Sequence, residues 1–122
     1  VENLDTESHM VGLRLMLDTM LGANDGAPFR VEDRALTTDT VYYTQNMPEF
    51  WQAFDSLSNP QVMAQGTLRK PGIVPPDRTY FTNWGSVADA AWNFDFIPGR
   101  ISPALANGNW TAPSRSFGIR WF

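Results

Sequence analysis

Residues 6–21 read TESHMVGLRLMLDTML, and the fold expected for the whole chain depends on how this stretch is read. Met10, Leu13, Met16, Leu17, Met20 and Leu21 recur at steps of three and four, a spacing that gathers them on one face of a helix. Asp5, Thr6 or Ser8 can cap its start, Glu7 stands favourably in the first turn, and Gly22 followed by Ala23-Asn24-Asp25-Gly26 stops it. A Met-rich stripe can serve adaptable binding, but at this spacing an ordinary core face is the simpler reading. The chain is therefore expected to open with an amphipathic helix.

Beyond it, Asn24-Asp25-Gly26-Ala27-Pro28 reads as a turn. Phe29-Arg30-Val31-Glu32 alternates apolar and charged residues as a half-buried strand does, and Thr38 to Gln45 is the strongest strand by composition. These two are expected to pair across the Asp33–Thr37 connection. Pro48 suits the first turn of a helix over 48–57, with Phe50, Trp51, Phe54 and Leu57 on one face. A shorter helix would start at Pro60, capped by Asn59 and closed by Gly66. Ser86-Val87-Ala88-Asp89 forms a capping box for a helix running to Asn93 or Phe94. Pro71-Gly72-Ile73-Val74-Pro75-Pro76 cannot be helical and reads as an extended crossover or an arm. A turn-dense stretch follows Phe96, and Ser116 to Phe122 alternates as a closing strand. The expected class is α+β: the N-terminal helix, a small antiparallel sheet, short helices and a long Pro/Gly-rich extended C-terminal half over 68–122.

A length of 122 residues fits a single domain, and 43% apolar residues is globular rather than disordered. Five Trp, eight Phe and three Tyr supply large rings for a core, and Trp and Tyr also enrich at binding surfaces. Without cysteine there can be no disulfide, thiolate nucleophile, Fe–S cluster or Cys-based zinc site. The longest apolar run falls far short of the roughly 18 residues of a spanning helix, and no signal peptide opens the chain, so a soluble protein is expected, its compartment undefined. Ser8-His9-Met10 resembles a cloning remnant, so residues 1–9 are expected to be a tag or disordered.

The net charge of −4 conceals an asymmetry. Residues 1–59 carry ten acids against Arg14, Arg30 and Arg34, whereas residues 60–122 carry Arg69, Lys70, Arg78, Arg100, Arg115 and Arg120 against Asp77, Asp89 and Asp95. Arginine, eight of the nine basic residues, forks onto carboxylates and phosphates and is favoured at interface ion pairs over lysine. The halves can pair within one molecule, or subunits can meet with opposite charges facing.

No catalytic constellation stands out, and the balance is against an enzyme. His9 is the sole imidazole, and a triad, a His-based zinc site or a His base would all depend on it. Trp84-Gly85-Ser86-Val87-Ala88 lacks the final glycine of a nucleophile elbow. Asp25-Gly26 with Glu32 matches the end of a calcium loop, but Leu21 and Ala23 occupy ligand positions and cannot coordinate. No phosphate-cradling glycine motif occurs, and no cofactor or metal is expected. Asp89 and Asp95, near Trp84 and Trp92, form the best carboxylate pair for a carbohydrate- or small-ligand site, or a hydrolase. Arg69, Lys70, Arg78, Arg115 and Arg120, interleaved with Tyr80, Trp110 and Trp121, could line a nucleic-acid surface, although the pI of about 4.7 is wrong for a dedicated binder. Asn109-Trp110-Thr111 is a glycosylation triplet that matters only in a secreted chain. The terminal Phe117-Gly118-Ile119-Arg120-Trp121-Phe122 resembles the closing strand of outer-membrane β-barrels. It fails in register, because Phe122 faces with Arg120 and Gly118, and nothing upstream supplies repeated alternating strands, so no family is claimed.

The expected function is a structural or assembly subunit of a multi-copy complex, such as a virus-like shell, with other protein subunits as partners. Arg115, Arg120, Trp110, Trp121 and Phe122 are the expected interface, since a proline-rich arm loses little ordering entropy along a neighbour and its rings anchor in pockets.

Overall fold

The computed structural model describes residues 2–82, 87 and 96–100, and the backbone of residue 83 and residues 115–121. Among the described residues eight strands form in chain order: β1 (Leu13–Asp18), β2 (Phe29–Val31), β3 (Arg34–Ala35), β4 (Thr40–Tyr43), β5 (Phe50–Phe54), β6 (Met63–Thr67), β7 (Arg78–Asn83) and β8 (Arg115–Trp121). They make two antiparallel four-stranded sheets, ordered β1-β8-β7-β4 and β3-β2-β5-β6. The only helical segment among the described residues is a 3-10 turn at Thr44–Asn46.

The α+β expectation is thus overturned, and the opening helix is the plainest correction. Leu13, Leu15 and Leu17 also alternate with Arg14, Met16 and Asp18, a period of two hidden inside the steps of three and four. Leu and Met favour helix in isolation, but a short helix needs a surface to pack on. A strand here gains the whole of β8, with Leu13 opposite Trp121, Leu15 opposite Ile119 and Leu17 opposite Phe117. The helix expected over 48–57 is β5 instead. Trp51 and Ala53 alternate into the interior, and Pro48 precedes a strand rather than entering a helix. The helix expected from Pro60 gives way to a loop and β6. The helix expected from Ser86 lies outside the described residues except for Val87, which is buried.

The strands expected at 29–32, 38–45 and 116–122 do form, as β2, β4 and β8. However, β2 and β4 belong to different sheets and do not pair across 33–37. Instead β2 turns back on β3 through Glu32-Asp33, with Glu32 in the left-handed region at φ 52°. Nor is the second half one extended arm: β7 and β8 are the two central strands of their sheet. The proline-rich segment after Leu68 is the crossover that carries the chain from β6 to β7. It is held by the buried Leu68, whose N–H donates to the Glu49 carbonyl at 2.8 Å, and by the buried Pro76.

The sheets meet through rings. Phe29 of β2 packs edge-on against Phe81 of β7, centroids 5.3 Å apart, and against Trp51 of β5 at 5.8 Å. Ala27, Val31, Leu36, Met47, Ala53 and Leu68 complete the cluster. Burying such side chains contributes roughly 1.5–3 kcal/mol each, so this layer is the main source of stability. One buried charge closes the far end of β4. Asp39 accepts two bonds from Arg100 on a single oxygen, at 2.7 and 3.0 Å, while their backbones exchange Asp39 N–H to Arg100 carbonyl at 3.0 Å.

Candidate functional site

The strand order leaves β1 at an edge: β8 pairs with one side, and among the described residues no strand lies on the other. Edge strands usually carry charge, proline or a bulge that blocks further pairing. β1 carries Arg14 and Asp18 on one face and leucines on the other. Leu13 is 63% exposed and Leu15 44%, and the preceding Met10 and Val11 and following Met20 are exposed as well. Leu17 alone of the three leucines reaches the core cluster. The inner, apolar face of this sheet therefore runs out past the cover given by the second sheet.

The other face of β1 is charged. Arg14 and Asp18 stand at its two ends with Met16 between them. Arg14 donates to the Val87 carbonyl at 3.2 Å. The Asp18 carboxyl is pushed above the usual carboxylate range by local desolvation and by the Asp25 carboxylate. Register makes Arg14 the end of a cross-strand row: Arg120 of β8 stands opposite both Arg14 and Arg78, and Arg78 stands opposite Tyr43. Arg78 lies over the Tyr43 ring, 5.6 Å from its centroid.

Of the residues expected at an interface, Arg115, Arg120 and Trp121 fall on β8, a central strand with neighbours on both sides. Trp110 and Phe122 lie outside the described residues, as do Asp89, Asp95, Trp84 and Trp92 of the alternative ligand site. Of the proposed nucleic-acid surface, Arg78 and Arg120 come together, whereas Arg69 lines a different part of the molecule. The edge is hidden in the sequence because the apolar spacing of residues 10–21 also suits a helix, which has no edge. The alternation Leu13-Arg14-Leu15-Met16-Leu17-Asp18 was the available signal.

Two other places carry polar groups. An open cleft of about 530 Å³ beside the β2–β3 turn is lined by Arg34, Arg69, Glu32, Asp33 and Tyr42 among others, with Arg34 donating to the Tyr42 hydroxyl at 2.9 Å. Its charges of both signs sit over Met47 and Pro48, and no catalytic pairing joins them. His9 is exposed and bonds Asp5 at 2.8 Å, a contact that holds the Asp5 carboxyl below its ordinary range. Among the described residues no group of three His, Cys, Asp or Glu is gathered to hold a metal ion. No helix among them is long and apolar enough to cross a membrane. Comparisons of the chain with protein-family models, with curated proteins and with solved structures find no match.

Proposed function

We propose that this chain is an assembly subunit that works by protein–protein contact, and that the outer edge of β1 is the contact. One observation carries this reading: a six-residue strand that has no strand on its outer side among the described residues carries exposed Leu13 and Leu15, flanked by exposed Val11 and Met20. Backbone groups on such an edge supply a ladder of hydrogen bonds, and the apolar side chains gain by leaving water. The arginine row ending at Arg14 adds a charged margin, which favours a partner offering carboxylate there.

Light scattering on the full chain at micromolar concentration tests the reading. The expected result is a mass above one protomer, falling to a single protomer when Leu15 is replaced by Lys, because an edge lysine blocks strand addition. A wild-type chain that stays monomeric through the micromolar range overturns the proposal.

A further inference from the structure

We propose that the partner at the β1 edge is a second copy of this chain, paired antiparallel about a two-fold axis at Met16. This inference rests on the assembly reading above and names its partner and register. It starts from the six residues Leu13-Arg14-Leu15-Met16-Leu17-Asp18, whose only charges are one cation and one anion, four positions apart. A two-fold axis pairs each position with its mirror about the centre. Centred on Met16, Arg14 stands opposite Asp18 of the second copy, and Asp18 opposite the second copy's Arg14, forming two reciprocal ion pairs from one strand.

No other register does this. A centre at Leu15 puts Arg14 opposite Met16, and a centre at Leu17 puts Asp18 opposite Met16. A centre between Leu15 and Met16 puts Arg14 opposite Leu17 and Asp18 opposite Leu13. Centres at Arg14 or at Asp18 bring like charges together. Directly opposed side chains share a sheet face, so a register about a residue also keeps leucine beside leucine. Leu15 meets Leu17 of the second copy, and Leu13 meets Thr19. The exposed Leu13 and Leu15 both fall within the span that this register brings together.

The electrostatics of the single copy point the same way. Arg14, the cation of β1, stands opposite a carboxylate in this register. Asp18, whose neighbour in its own copy is the Asp25 carboxylate, gains a guanidinium across the axis. The two four-stranded sheets that contain β1 would then become one continuous sheet through the pair.

Charge exchange and cysteine cross-linking test it together. Arg14→Asp alone and Asp18→Arg alone each turn both ion pairs into repulsions, and each is expected to weaken association by about tenfold or more. The double variant Arg14→Asp/Asp18→Arg restores the pairs in reversed order and is expected to recover association. Because the chain contains no cysteine, Met16→Cys reports the axis directly. Self-opposed Cα atoms about 4.5–5.5 Å apart suit a disulfide, so mild oxidation is expected to give a covalent dimer. Ser58→Cys, in an exposed loop far along the chain, is expected to give none. The outcomes separate the two claims. A monomeric wild-type chain removes both. A wild-type oligomer in which the double variant fails to recover and Met16→Cys fails to cross-link removes the Met16-centred pairing and leaves assembly through another contact. Circular dichroism of each variant verifies folding; Met16→Cys is the mildest substitution and serves if a charge variant does not fold.

Discussion

Gly66→Ala is a sharp test of how the second sheet is packed. Gly66 stands opposite Trp51 in the β5–β6 register, and the indole occupies the space where a side chain would be. A Cβ built on Gly66 falls 2.5 Å from Cε2 and 2.6 Å from Cζ2 of Trp51, with Nε1 also in contact. Ordinary carbon contacts lie at roughly 3.5–4.0 Å, so the ring must retreat by about 1 Å. It has little room to do so. Trp51 is only 6% exposed, and the Phe29 ring stands edge-on against it. Gly66 is not among the glycines with positive φ, so the conflict is one of volume rather than backbone conformation. Overpacking of this kind costs about 1–3 kcal/mol, offset by about 0.5–1 kcal/mol from the stiffer unfolded chain. A net loss of about 1–2 kcal/mol is expected, rising toward the roughly 3–5 kcal/mol of a Trp-to-Ala change if the indole is expelled. Urea unfolding followed by circular dichroism reads this as a lower midpoint at unchanged slope. The same substitution in a Trp51→Leu background is expected to cost nothing, since the clashing ring is gone. An equal loss in both backgrounds, or no loss in either, refutes the indole-over-glycine packing.

Arg100→Ala leaves the buried Asp39 carboxylate without its guanidinium and is expected to cost about 3 kcal/mol in urea unfolding, with Arg100→Lys recovering only part. An unchanged midpoint for Arg100→Ala would count against the lock between β4 and the 97–100 turn. Asp55 accepts the Gln61 and Val62 backbone N–H groups, which hold its carboxyl below the ordinary value of 3.8. Because the folded pKa is depressed, this closure of the β5–β6 loop is complete above the unfolded pKa and is lost as pH falls through the folded one. Amide exchange at Gln61 and Val62 is therefore expected to quicken below about pH 4 relative to the intrinsic rate, and Asp55→Asn to abolish that pH step. If Leu15→Lys lowers assembly, the Leu57→Lys change in the β5–β6 loop is expected not to, because Leu57, though exposed, is not part of β1.

The readable part of the fold was the part whose pattern admits one period. Phe29-Arg30-Val31 and Thr40-Val41-Tyr42-Tyr43 are β-branched or aromatic, and the closing Phe117, Ile119 and Trp121 alternate cleanly, so each strand was legible locally. Leu13–Asp18 and Phe50–Phe54 were not. Their apolar residues satisfy both a helical and an extended spacing, and Leu, Met and Ala favour helix until something pairs with them. The candidate site shared that fate: a helix has no edge, so reading β1 as helix concealed the feature that now draws the functional proposal. Arg78 and Arg120 stood out by residue type, but their opposition across β7 and β8, and the place of Arg14 beside them, follow from a register spanning most of the chain.

By itself the amino-acid order determined a cysteine-free chain without a recognisable catalytic motif, acidic in its first half and arginine-rich in its second, because these depend only on which residues are present and in what sequence. Tertiary structure decided that residues 13–18 are a strand, that β8 lies between β1 and β7, and that Leu13 and Leu15 are exposed on a strand with no neighbour on its outer side among the described residues. The physical reason is that a strand is completed by hydrogen-bond partners about a hundred residues away, and local propensity carries no record of them.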